Sequence, residues 1–146
     1  MTEDKPKWHS DVQIDMDRLS DCMAEQPGLY AYYASLAAHA SHELSETKSS
    51  LAMLEAEVER EIRTRYRALG EKITVKEVEA SVSLDSRVQT ARKKVRDCKL
   101  EYDLCKVAAE AFSQRLQAMI TIGAQQRTEI KSLNVSVASE GDWKTR

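Results

Sequence analysis

Apolar side chains recur along most of this chain at alternating spacings of three and four, the mark of helices that bury one stripe. The clearest run is Leu84, Val88, Ala91, Val95, Cys98, Tyr102, Cys105, Ala109, Phe112, Leu116 and Met119. An unbroken stripe of that length predicts one long helix. A second stripe, Leu100, Leu104, Val107, Ala108, Ala111 and Ile120, joins it in the later half. An earlier run, Leu29, Tyr33, Leu36, Ala40, Leu44, Thr47, Leu51, Leu54, Val58 and Ile62, is coiled-coil-like, with no Gly or Pro before Leu69. Neither helix can be stable with its stripe in water. One seam of each predicts an antiparallel hairpin. The second stripe then needs another cover, which implies self-association through the Leu100–Ile122 region and the start of the first long helix, where Ala34, Ala37, Ala38 and Ala40 allow close approach.

Local signals set the ends. Gly70 suits the left-handed residue that follows a helix, and Thr74 with Glu77 forms a Ser/Thr-x-x-Glu capping pattern for a short connecting helix. Ser83 and Asp85 are candidate caps for the next one. Upstream, the first ten residues are polar and expected to be mobile, and "DVQID" (Asp11 to Asp15) alternates like a short extended arm. "DMDRLSDCMAEQ" predicts a short helix with Asp15 or Asp17 as N-cap and Ile14, Leu19, Cys22 and Met23 on its apolar side, ended by Pro27-Gly28. Residues 132–146 lose the helical period and predict a flexible tail, in which Trp143 is a candidate docking residue, after one helical domain over residues 1–131.

Composition narrows the class. Charged residues make up 32% and aromatics 5%, with four Gly and two Pro, which suits charged amphipathic helices and argues against a sandwich or an α/β enzyme. No apolar run could span a membrane and no secretory h-region is visible, so a cytoplasmic protein is expected. Cys22, Cys98 and Cys105 lack metal-ligand spacing and read as small buried hydrophobes. His39, His42, Glu43 and Glu46 could share a helix face, but such groups are usually solvated. No phosphate-binding Gly loop, catalytic triad or paired-carboxylate cleft can be argued, so neither an enzyme nor a metal or cofactor is expected.

Charge is unevenly placed. Between Arg60 and Lys99 twelve basic residues face six acidic ones, a local charge of +6, while the rest of the chain carries −8 for a net −2. A basic middle of this kind can hold a polyanion. Its densest part is "EREIRTRYRALGEK" (Glu59 to Lys72). On a wheel of about 100° per residue, Arg63 and Arg67 fall beside Arg60 on a conventional basic face. Arg65 falls with Val58, Ile62 and Leu69, where an apolar residue belongs. A buried unpaired arginine is costly. Either the stripe has left the core by this point, with Arg65 snorkelling to water, or an anionic partner meets it. Arginines beside a tyrosine and a loop also suit a single-strand binder, in which guanidinium groups hold phosphates and an aromatic stacks on a base. The second cluster, Arg92, Lys93, Lys94 and Arg96, lies toward the same loop end of a hairpin and could extend one surface. Assembly around an axis would repeat the patch and add avidity.

These residues together resemble a known family, the UvsY-type recombination mediators of tailed bacteriophages. The resemblance runs from about Asp11 to Ile130. It is carried by "DVQID", by "LYAYY" opening the first long helix, by "REIRTRYRALG", and by "LEYDLCKVAAEAF" in the last helix. It implies an all-α protein, a long antiparallel helical hairpin with short N-terminal and connecting helices, assembled into a homo-oligomeric ring of six or seven subunits. It implies binding of single-stranded DNA without sequence specificity and loading of a RecA-like recombinase onto strands covered by single-strand-binding protein, in the host-cell cytoplasm. The family's basic pair matches Arg63 and Arg65. Its usual aromatic pair just afterwards is replaced by Tyr66 and Arg67, so phosphate contact carries over more safely than base stacking, for which Tyr66 is the candidate. Arg60, Arg67, Lys72 and Lys76 would add field, and Arg92, Lys93, Lys94 and Arg96 would extend the track. The competing classes are a structural or chaperone-like coiled-coil oligomer without nucleic-acid binding, a single-strand annealing protein and, more distantly, a metal-dependent nuclease.

Overall fold

A computed structural model describes the backbone of residues 7–141 and the side chains of residues 7–134. Four helices follow in order: α1 (Trp8–Asp11), α2 (Leu19–Ala68), α3 (Val75–Leu84) and α4 (Ser86–Gly141), with no strand among the described residues. The chain forms two compact units, one from residues up to Tyr33 and from Ala108 onward, the other from Ala34 to Val107.

In the second unit, α2 and α4 run antiparallel. Thr47 meets Cys98, Glu55 meets Arg92 and Glu61 meets Arg87, so the partners descend α4 as α2 ascends. Val58 and Ile62 of α2, Val78 and Val82 of α3, and Val88 of α4 form the core, with Leu51, Leu54, Tyr66 and Ile73 packed around it. Small β-branched side chains from three helices thus close one corner.

The caps expected from sequence fix that corner. The Gly70 φ is +71°, the Gly70 N–H donates to the Arg67 carbonyl at 3.1 Å, and the Glu71 N–H donates to the Tyr66 carbonyl at 3.0 Å. Those two bonds are a Schellman ending, which satisfies carbonyls that α2 would otherwise leave open. Thr74 accepts from the Glu77 backbone N–H, and the Glu77 carboxylate accepts from Thr74, a complete capping box. Those bonds hold the Glu77 carboxyl below the usual carboxylate range. Asp85 caps α4 by accepting the Arg87 N–H at 2.8 Å.

The first unit holds the largest buried side chains. Phe112 and Met119 are fully buried, and the Phe112 ring stacks on Tyr33 at 4.6 Å between centroids and 12° between planes. The Tyr33 hydroxyl donates to Asp11 at 2.8 Å, which ties α1 to α2. Burial first, and then this bond, push the Tyr33 phenol up to about 12. Arg115 is also buried, with its guanidinium donating to the carbonyls of Gln13 and Cys22 and to Gln26 Oε1. Gln26 in turn donates to the Phe112 carbonyl at 2.6 Å. This network satisfies a buried cation with carbonyl dipoles, and no ion pair to it occurs among the described residues.

Four expectations need correction. Residues Trp8–Asp11 are helical, so Asp11 is not part of an extended arm, and only Gln13 to Asp15 run without regular structure. Asp15 accepts the Asp17 N–H at 3.0 Å in a turn ahead of α2, which begins at Leu19 rather than just after either aspartate. Pro27-Gly28 does not end a helix, because α2 runs straight through Pro27. An interior proline removes one backbone bond at a cost of roughly 3 kcal/mol. Burial of Cys22, Gln26 and Tyr33 on either side of it, with the Gln26–Arg115 bridge, offsets that loss. Finally, α4 continues beyond Lys131 to Gly141. Residues 1–6 and Trp143 lie outside the described residues.

Within the first unit Ile120, and within the second Leu100, Leu104 and Val107, are exposed, so these four members of the second stripe of α4 have no cover among the described residues. Ala108 is buried and Ala111 half-buried. Cys22 and Cys98 are buried and Cys105 half-buried, all as free thiols. His39, His42, Glu43 and Glu46 are exposed on α2, and no three His, Cys, Asp or Glu among the described residues converge as metal ligands would. No helix among the described residues is long and apolar enough to cross a membrane.

Candidate nucleic-acid interface

About the last two and a half turns of α2 carry Arg60, Arg63, Arg65 and Arg67, all exposed. After Ile62 the seam moves to Tyr66, one turn on, and then to Ile73 beyond the Schellman turn. Leu69 is left 65% exposed. The stripe has therefore left the core where the wheel placed Arg65, and that arginine extends into solvent. The Tyr66 ring is half-buried against the valine core. Packing there occupies surface that a stacking base would need.

Lys72 follows in the α2–α3 turn and Lys76 stands in the first turn of α3, both exposed. Among the described residues, Arg60, Arg65, Arg67, Lys72 and Lys76 form no ion pair. Arg65, Arg67, Lys72 and Lys76 thus stand around the α2–α3 turn on a backbone that its caps hold fixed, Arg60 lies more than two turns back along α2, and Arg65 also helps to lower the Glu61 carboxyl. Arg65 and Arg67 sit in the last turn of α2, where the helix dipole favours positive charge.

The remaining basic residues behave differently. Arg63 donates through Nε and Nη2 to Glu59 Oε1, both at 2.8 Å. Arg92 donates through Nε at 3.0 Å and Nη2 at 2.7 Å to Glu55 Oε1. Arg87 is held hardest: its guanidinium reaches both Glu61 oxygens, at 3.3 and 2.6 Å, and also the Asp85 carboxylate. Glu61 and then Asp85 raise the Arg87 pKa above its ordinary value, and the Arg87 guanidinium holds the Glu61 and Asp85 carboxyls below theirs. Lys93, Lys94 and Arg96 are exposed. At about 100° per residue Lys93 and Lys94 turn away from Arg92, whereas Arg96, one turn on, falls on the same face as Arg92. Lys94 borders a shallow groove that also meets Arg87, Thr90 and Ala91.

In the second unit Arg65, Arg67, Lys72 and Lys76 therefore stand around the α2–α3 turn, with Arg65 on the opposite side of α2 from Arg60 and Arg67; Arg63 and Arg92 are paired with carboxylates, and in "RKKVR" only Arg92 and Arg96 share a face. Sequence reasoning missed the carboxylates. Glu59–Arg63 is legible as an i,i+4 pair, whereas Glu55–Arg92 and Glu61–Arg87 need the hairpin register.

No family model matches the chain, and no curated protein matches it. Among solved structures, the chain is similar to the crystal structure of the bacteriophage T4 recombination mediator protein UvsY. The TM-score is 0.68 at 19% sequence identity, over 84% of this chain and 93% of that one. The two share a fold.

Proposed function

We propose that this chain is a non-enzymatic recombination mediator. It binds single-stranded DNA without sequence preference and promotes loading of a RecA-like recombinase onto strands covered by single-strand-binding protein. The observation that carries the reading is the fixed corner of unpaired cations, on a fold shared with a recombination mediator. Guanidinium and ammonium groups on a rigid corner suit phosphates better than sequence. Arg65 and Arg67, with Arg60, Lys72 and Lys76, hold the strand, and Arg63 joins them. Copies of the chain meet through the exposed α4 stripe in a ring, which repeats the corner and multiplies a weak hold. The compartment is the cytoplasm, that of the host cell for a phage-encoded chain.

A loading assay tests this reading. Single strands are saturated with single-strand-binding protein, a RecA-like recombinase is added with ATP, and the lag before steady ATP hydrolysis is timed. Adding this chain is expected to shorten the lag. An unchanged lag contradicts mediation and favours a structural coiled-coil oligomer. Pairing of complementary strands in the absence of recombinase favours an annealing protein instead.

A further inference from the structure

Glu55 and Glu59 lie one turn apart on the same face of α2, and each holds an arginine from one of the two basic clusters. Glu59 binds Arg63 from the next turn of α2, and Glu55 binds Arg92 from α4. Both carboxylates line a groove between α2 and α3 together with Val78, Val82, Ser83 and Arg92. The pairs are open to water: Arg63 and Glu59 are 43% and 46% exposed, Arg92 and Glu55 39% and 34%. Each is built around a single carboxylate oxygen, so the partner arginine is held but not enclosed.

Resting on the mediator reading, we propose that Glu55 and Glu59 are affinity-setting residues, which compete with strand phosphates for Arg92 and Arg63. An exposed ion pair is weak enough to be exchanged when a phosphate arrives. Its exchange costs part of what the new contact gains, so the hold on the strand stays loose. A protein that must give its strand up to another needs such a hold. The Arg87 pairs contrast with these. Two carboxylates grip that guanidinium, and one of them also caps α4, so they serve the corner's structure.

The test compares Glu55→Gln and Glu59→Gln with wild type, using a labelled oligothymidylate in an anisotropy titration over a salt series. Glu79→Gln is the control. Glu79 lines the same groove and its replacement changes charge equally, but it holds no arginine among the described residues. Each of the two variants is expected to bind roughly twofold to fivefold more tightly, the range an exposed ion pair supports. The salt dependence should steepen by about 0.7 in log–log slope for the arginine freed. Glu79→Gln should change affinity less than either. Equal tightening by all three reduces the effect to general field and overturns the proposal. So does unchanged or weaker binding by Glu55→Gln and Glu59→Gln while wild type binds. Absence of binding by wild type and every variant overturns the mediator reading as well, which separates the two failures.

Discussion

Replacing Phe112 with alanine is expected to destabilise the chain by about 3–5 kcal/mol, the usual cost of emptying an aromatic site in a core. Phe112 has no exposed surface, stacks on Tyr33, and offers its carbonyl to Gln26. The cavity would open beside the Tyr33 ring, in the most deeply buried part of this unit. In a thermal melt the midpoint should fall by roughly 10 °C or more. Phe112→Leu, which keeps most of the volume, should cost under about 1.5 kcal/mol. Hydrogen exchange should rise most between Leu19 and Tyr33, where α2 loses its backing. A midpoint unchanged in Phe112→Ala would show that the ring does not anchor this unit.

The second large effect concerns the strand. Arg63→Ala combined with Arg65→Ala is expected to weaken binding of a single-stranded oligonucleotide about 25-fold at 0.1 M salt. That figure follows from losing two phosphate contacts, each worth about 0.7 in the log–log salt slope, so the slope should also flatten by about 1.4. Both side chains are exposed, and Val58, Ile62 and Tyr66 carry the packing of this segment. Helicity and oligomer size, read by circular dichroism and light scattering, should therefore be retained. Arg65 should carry the greater share alone, since Arg63 must first leave Glu59. Normal binding by the double variant would move the site to Arg67, Lys72 and Lys76.

What the chain discloses before folding follows the range of the forces involved. The Gly70 ending and the Thr74–Glu77 box need only neighbouring residues, and both form as their spacing predicts. The seam through Val88 and Cys98 is legible because both are buried where the period puts them. The period fails where a seam drifts around its helix. Near the end of α2 it passes to Tyr66, which frees Arg65 and Leu69. In α4 it passes through Arg115 rather than Leu116, which is 38% exposed. A buried arginine cannot be read from a polar letter in a helix, because its cost is met by Gln13, Cys22 and Gln26, far away in sequence. Pro27 misleads for the same reason, since local propensity is overridden by contacts it does not encode. The basic corner was legible as charge. Which of its arginines are free was not, because that depends on the register pairing Glu55 with Arg92 and Glu61 with Arg87.

The most direct test of the account is an anisotropy titration of the wild-type chain with labelled single- and double-stranded oligonucleotides of equal length, from low to high salt. The account predicts tighter binding to the single strand, with a log–log salt slope of about −2 or steeper, as three or more phosphate contacts require. Absence of binding at low salt, or binding indifferent to salt, would contradict it.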